Sequence, residues 1–122
     1  MKTSMKLLAV AGLVLAASSP AVAHHSAAMF DSGKVITIEG IVKEFQWTNP
    51  HTWVQIVVTD AAGKQVEWAI ESGAPNGMAR QGWKRNSLVP GDKVAIAINP
   101  LRDGRAGGFL VNATKNGVKV GR

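Results

Sequence analysis

The chain has 122 residues, a formal net charge of +6 and no cysteine. The missing thiols exclude disulfides, thiolate metal sites, haem attached through cysteine and thiol redox chemistry. The basic residues are dispersed, so a surface selected for solubility explains the charge as well as an anionic partner does. Nucleic acid is therefore not an expected partner.

The N-terminal segment 1–23 has the pattern of a secretory signal peptide. Two lysines precede an apolar run at residues 7–17, and residues 21–23 read Ala-Val-Ala, a small-x-small cleavage pattern. The apolar run is shorter than the about 20 residues that a membrane-spanning helix needs. An uncleaved anchor helix is therefore the less favoured alternative.

Cleavage after Ala23 predicts an exported protein, placed most simply in a periplasm, with no stable membrane span. The expected organisation is a signal peptide at 1–23, an N-terminal arm at 24–34 and one domain at 35–122. A domain of this size can build a single hydrophobic core, and without cysteine it must hold together by that core alone.

Segments rich in β-branched residues predict five short strands in the domain. Gly40 lies inside the first of them, which is typical of a bulge or a sharp bend. A turn at 60–64 joins the second and third strands into a hairpin. A short helix is predicted at 76–82, with Met78 and Ala79 facing inward. The predicted strands are 35–45, 52–59, 65–70, 94–98 and 109–115, and a turn then leads towards 118–120.

The order of three strands, a short helix and two strands favours a barrel of the OB type, and a generic β-sandwich is the alternative. The bend expected at Gly40 would also help such a barrel to close. The predicted fold is mainly β: a small, five-stranded, OB-like, partly open barrel with one short helix between strands three and four.

His24 and His25 follow the predicted cleavage site directly. Cleavage would give His24 a free α-amine, whose reference pKa of about 7.7–8.0 lets a metal displace its proton readily. That amine and the imidazole Nδ1 of the same residue can chelate one ion, and His25 or His51 would supply a third nitrogen. Copper(II) prefers such nitrogen ligands in a tetragonal arrangement. Copper is therefore the favoured, though not certain, cofactor.

Two neighbours could complete this metal site. Met29 offers a thioether suited to copper(I), and Asp31 could hydrogen-bond an imidazole. The alternative is that His24 and His25 lie solvated at a flexible terminus and bind metals weakly and adventitiously. Three histidines without a cysteine do not form a closed structural zinc site unaided.

The segment WTNPHTW at 47–53 is the densest aromatic cluster of the sequence. Asn49 and the following proline favour a turn, which places His51 at a strand start near a barrel mouth. Trp47, Asn49 and Trp53, together with Trp83, are candidates for a ligand-binding surface. The alternative is that the tryptophans pack in the core or at its rim.

No catalytic residue is assigned. Glu71 at the end of the third strand could act as a base, but no acid or nucleophile pairs with it, so a helix-cap or surface role is favoured. The basic residues around Trp83 at 80–85 are expected to lie in solvent, with the Trp83 ring packed beneath them. Phosphate-binding loops, zinc-protease motifs and nucleophile elbows are missing from the sequence, so a hydrolytic enzyme is not predicted.

Several short motifs, taken together, resemble a family of small exported bacterial proteins known as domain of unknown function 6152. They are AHHS, MFD, GIV, WTNPH, EWAIE, GAPNGMARQGW, SLVPGD and the late RDG. The resemblance extends from His24 to about Asn116. It implies a periplasmic single domain with an N-terminal histidine pair and a WxNPH segment, and it implies no activity.

Three functions remain open from the sequence. The first is a periplasmic metal-binding module that sequesters, carries or delivers copper through His24, His25 and His51. The second is a metal-free module whose tryptophan-lined face binds a protein, a peptide or another small ligand such as a glycan. The third, a copper oxidase or oxygenase, ranks last because so short a chain gives no sign of a substrate cleft.

Overall fold

The computed structural model describes residues 27–122, in which β-strands predominate. The elements are, in chain order, a 3-10 turn at Ala27–Met29, β1 (Ile36–Gln46), β2 (Trp53–Thr59), β3 (Gln65–Glu71), α1 (Pro75–Arg80), β4 (Lys93–Pro100), β5 (Gly107–Lys115) and β6 (Val118–Lys119).

The first five strands form a closed ring. β1, β2 and β3 are an antiparallel meander, β4 pairs with the free edge of β1, and β5 pairs with β4. A parallel pairing of β3 with β5, from Ala69–Gly107 to Glu71–Phe109, joins the two outer edges, and β6 extends β5. The predicted small, five-stranded, OB-like barrel with one short helix is thus confirmed, and its ring is closed where a partly open one was expected.

The barrel interior is filled by every second residue of the strands. On β2, Val54 and Ile56 are fully buried, whereas Trp53, Gln55 and Val57 are partly exposed. This alternation follows from the two-residue period of a strand. The core residues are Ile38, Val42, Val54, Ile56, Ile70, Met78, Trp83, Leu88, Val94, Ile96, Ile98 and Ala113.

Gly40 lies where β1 passes close to the backbone of β2. A Cβ atom at this position would stand 2.5 Å from the carbonyl oxygen of Val57, which is closer than real Cβ contacts. The bulge of β1 lies further along, between Val42 and Glu44. The glycine is therefore required by strand proximity, and the expected irregularity occurs after it.

The helix α1 carries one buried side chain, Met78, as predicted, whereas Ala79 is exposed and its predicted inward orientation is wrong. The helix starts with Pro75, a residue suited to a first turn, and Ala74 provides no side-chain cap. Within residues 27–122, no helix has the length and apolar character needed to cross a bilayer.

The arm is fixed to the barrel at its described end. Phe30 forms a β-bridge with Leu101, just after β4. The backbone N–H of Arg102 donates to the Met29 carbonyl at 3.0 Å. These bonds hold the arm against the end of β4 and the loop that follows it.

Candidate functional site

A candidate site lies on the outer face of the barrel where β3 meets β5. Ile70 is fully buried in the core, so its neighbours Ala69 and Glu71 project from the opposite face of β3. Trp53 is the register partner of Glu71 on β2 and shares that face. The arm covers this region, since Phe30 lines the same cavities as Glu71.

Two cavities lie between the arm and this face. Their volumes are about 350 Å³ and about 260 Å³, and both are lined by Phe30 and Glu71. The ring of Phe30 packs against Phe109 of β5, with 5.5 Å between centroids. The larger cavity is further lined by Met29, Trp53, Ala69, Leu101, Arg105, Ala106, Gly107 and Gly108, and the smaller by Ala27, Ser32, Asn99 and Phe109.

Glu71 is a buried acid with little compensation from the protein. Its side chain is 3% exposed, and its Oε1 lies 3.4 Å from Nδ1 of His51. Among residues 27–122, no lysine or arginine lies within ion-pair distance of this carboxylate, and no hydrogen bond to it is present. The helix-cap or surface role expected for Glu71 is therefore wrong, because the arm covers the strand face from which it projects.

His51 is oriented by the backbone that directly follows β3. Its Nδ1 lies 2.9 Å from the carbonyl oxygen of Ser72. Because a carbonyl oxygen only accepts, this bond requires the proton on Nδ1 and leaves the lone pair on Nε2. The side chain is 37% exposed. Metal-binding histidines are commonly held in this manner, with one ring N–H donated to a backbone carbonyl.

The two other predicted members of the metal site lie on the arm. Met29 lines the larger cavity together with Glu71. Asp31 accepts a hydrogen bond from the Gly33 N–H at 3.2 Å and lies 3.7 Å from Nη1 of Arg102. Its carboxylate thus stabilises the arm, and no described contact joins it to His51.

The predicted tryptophan surface is not formed by all of its members. Trp83 is only 5% exposed and belongs to the core, so its assignment to a ligand-binding surface is wrong. Trp47 packs edge-on against Phe45 at 5.8 Å, which matches the packing alternative. Trp53 lines the larger cavity, and Asn49 is exposed in the loop before β2.

Two ion pairs with perturbed titration lie on the surface. Hydrogen bonds from the backbone and the side chain of Arg105 hold the pKa of the Asp103 carboxyl below its usual range. The Nε of Arg105 is 2.7 Å from Asp103 Oδ2, at the rim of the larger cavity. A hydrogen bond to Glu67 and the charge of this carboxylate raise the pKa of Lys43.

His24 and His25 lie outside the described residues, as does the predicted signal peptide at 1–23. Within residues 27–122, no group of three or more histidine, aspartate or glutamate side chains is arranged to hold a metal ion. His51 is accordingly the one predicted histidine ligand whose surroundings the structure describes.

The sequence analysis did not predict that Glu71 is buried or that Phe30 covers it, although one signal was available. Because consecutive strand residues point to opposite faces, Glu71 should lie on the outside of the barrel if Ile70 lies inside. The sequence does not indicate that Phe30 docks over this outer face and buries Glu71.

Comparison with known proteins gives a family without an assigned activity. No curated protein and no solved structure matches the chain. A family model described as "Family of unknown function (DUF6152)" matches residues 11–112, which is most of the sequence. The chain therefore belongs to the DUF6152 family of unknown function.

Proposed function

We propose that the protein is an exported copper-binding module that uses its mature N-terminus as a ligand. In this proposal the α-amine and Nδ1 of His24 chelate copper(II), and an imidazole of His51 or His25 supplies the third nitrogen. Export rests on the signal-peptide pattern of residues 1–23, and the periplasm is the proposed location.

The observation that carries this proposal is the state of His51. Its Nδ1–H is donated to the Ser72 carbonyl at 2.9 Å, so that Nε2 is free to bind a metal. Glu71, at 3.4 Å from the same Nδ1, further favours a proton on that nitrogen. A ring held in this way loses little freedom when a metal binds.

The position of the arm supports the participation of His24. Ala27 lines the smaller cavity together with Glu71, which in turn contacts His51. His24 precedes Ala27 by three residues, and three extended residues span at most about 10–11 Å. This short reach from Ala27 supports the proposed participation of His24 in a site that includes His51.

The test compares two N-termini on one domain. The mature chain starting at His24, checked by intact mass, and the same chain with its α-amine acetylated are titrated with copper(II). We expect acetylation to weaken binding by about tenfold or more, because it turns the α-amine into an amide and leaves no terminal amine to anchor the metal. Equal affinity of the two forms would refute the proposal.

Two further variants identify the third nitrogen. His51→Asn should weaken copper binding strongly if His51 is the ligand, whereas His25→Asn should then have little effect. The opposite pattern assigns the third nitrogen to His25. Electron paramagnetic resonance of the copper(II) forms, in which nitrogen donors give resolved hyperfine splitting, checks the number of ligands in each variant.

A further inference from the structure

The cavities under the arm enclose an acid that the proposed copper site does not use as a ligand. Glu71 is 3% exposed, lines both cavities and receives no hydrogen bond from residues 27–122. We propose that the larger cavity binds a small organic ammonium ion with an apolar, preferably aromatic, body, whose N–H groups donate to the Glu71 carboxylate.

The charge of the site selects the ligand class. Burying a carboxylate without donors is costly, so a partner that brings both positive charge and N–H groups is strongly favoured. His51 does not meet this need, because its Nδ1–H is donated to the Ser72 carbonyl and the distance from Nδ1 to Glu71 Oε1 is 3.4 Å. Among residues 27–122, every fully buried side-chain oxygen has a hydrogen-bond partner. Because the Glu71 carboxylate receives no hydrogen bond, its oxygens are not fully enclosed and remain accessible from the cavity.

The walls select the body of the ligand. Trp53, Phe30 and Leu101 line the larger cavity, and Met29 adds a flexible thioether wall. Its volume of about 350 Å³ falls within the range of small-molecule pockets. An aromatic wall beside an acid suits an organic cation, because the face of an indole or phenyl ring attracts positive charge.

The cation at the rim does not oppose such a ligand strongly. Arg105 also lines this cavity, but its Nε is paired with the Asp103 carboxylate at 2.7 Å. The rim therefore carries a neutralised pair, and the buried charge of the cavity is that of Glu71. Anionic ligands would meet this carboxylate without compensation.

The experiment uses three probes that differ in charge and share their shape. Benzylammonium, benzyl alcohol and benzoate are titrated into the metal-free mature protein, with a chelator present, and followed by NMR. We expect benzylammonium to bind about tenfold or more tightly than benzyl alcohol, as charge-assisted hydrogen bonds are the stronger ones, and benzoate not to bind. The indole N–H of Trp53 should shift during the benzylammonium titration.

Two single substitutions test whether Glu71 is the acid that binds the ammonium group. Glu71→Gln should reduce the affinity for benzylammonium about tenfold or more, whereas Glu67→Gln, an exposed acid on the same strand and face, should leave it unchanged. If Glu71→Gln fails to fold, Glu71→Met replaces it, and the preference of the natural protein for benzylammonium remains decisive. Equal binding of benzylammonium and benzyl alcohol, or shifts that leave Trp53 unaffected, would overturn the proposal. Because no copper is present, these outcomes are independent of the copper experiment.

Discussion

His51 and Glu71 meet where β2 begins and β3 ends, with 3.4 Å between imidazole Nδ1 and carboxylate Oε1. The imidazole reaches solvent on one side, while the carboxylate faces the cavities under the arm. Nδ1 is at the same time bonded to the Ser72 carbonyl. The pair thus connects the proposed copper ligand to the proposed ammonium site. We expect that a ligand bound at one site changes the affinity of the other site for its ligand.

Removing the charge of Glu71 should not destabilise the fold. The carboxylate is buried without hydrogen bonds from residues 27–122, and its neighbour His51 keeps its contact with solvent when the acid is removed. We expect Glu71→Gln and Glu71→Met to leave the free energy of unfolding unchanged or to raise it by about 1–2 kcal/mol. Urea denaturation of the metal-free protein measures this.

Glu67→Gln is the matched control for the loss of one negative charge, since Glu67 is exposed on the same strand. A decrease of more than about 1 kcal/mol in the Glu71 variants alone would show that the acid stabilises the fold, contrary to this prediction. Unchanged stability together with lost ammonium binding is the pattern of a residue kept for function.

Gly40 should be among the least replaceable residues of the barrel. A methyl group there would meet the Val57 carbonyl at 2.5 Å, and backbone within a sheet cannot move aside easily. We expect Gly40→Ala to reduce the free energy of unfolding by about 2–3 kcal/mol. Gly33→Ala is the control, because the nearest atom to its added methyl group is 3.6 Å away, and its effect should stay within about 0.5 kcal/mol. Similar effects of the two substitutions would disprove the steric explanation.

The strands were predictable because each is a short local segment rich in β-branched residues. The alternating burial of β2, with Val54 and Ile56 inward, became evident only in the structure, because the segment WVQIVVT is apolar at most positions. The short helix was predicted in the right place between the third and fourth strands, although it starts at Pro75 and not at Asn76. The β3–β5 pairing was not predicted: a partly open barrel was expected, whereas this pairing closes the ring. Strand ends were less certain, since β4 and β5 each extend beyond the predicted ranges.

The covered site was less predictable because it depends on contacts between distant segments. Glu71 becomes buried only when Phe30, about forty residues earlier in the chain, docks beside Phe109. No local pattern around Glu71 encodes that cover. Trp83 shows what local reading can do: the interpretation of residues 80–85 as a solvated face over a packed ring is confirmed, since the Trp83 ring is buried and packs against Phe45.

The C-terminal end should depend on Gly121 for steric as well as conformational reasons. Gly121 and Gly117 both have left-handed backbones, with φ of 83° and 78°. A methyl group on Gly121 would stand 2.7 Å from Nε1 of Trp83, whereas one on Gly117 meets nothing within 4 Å. Gly117→Ala should therefore cost only the backbone strain of about 1–2 kcal/mol.

Gly121→Ala should cost at least about 1 kcal/mol more than Gly117→Ala, because the Trp83 ring must also shift. Urea denaturation gives the difference, and the indole N–H resonance of Trp83 should move in the Gly121 variant alone. Equal losses of stability, with Trp83 unaffected, would contradict the close contact.

Phe30 should be needed for docking of the arm but not for folding of the barrel. Its ring is buried beside Phe109 and its backbone bridges Leu101, yet the five barrel strands pair with one another without it. Truncation of a packed phenylalanine costs about 3–5 kcal/mol, and here the loss should fall on arm docking. In Phe30→Ala we expect the amides of Asp31 and Arg102 to exchange hydrogen about tenfold faster or more, while β2 amides keep their protection.

Phe30→Leu is the conservative control and should preserve most of the protection of Asp31 and Arg102, because it retains an apolar side chain in the same place. Release of the arm in Phe30→Ala should also weaken copper binding if His51 is the third nitrogen, since the proposed site needs residues 27–30 docked on the barrel beside His51. If the Asp31 and Arg102 amides keep their protection in Phe30→Ala, the arm is held by its backbone bonds. The aromatic contact would then be dispensable for closing the site.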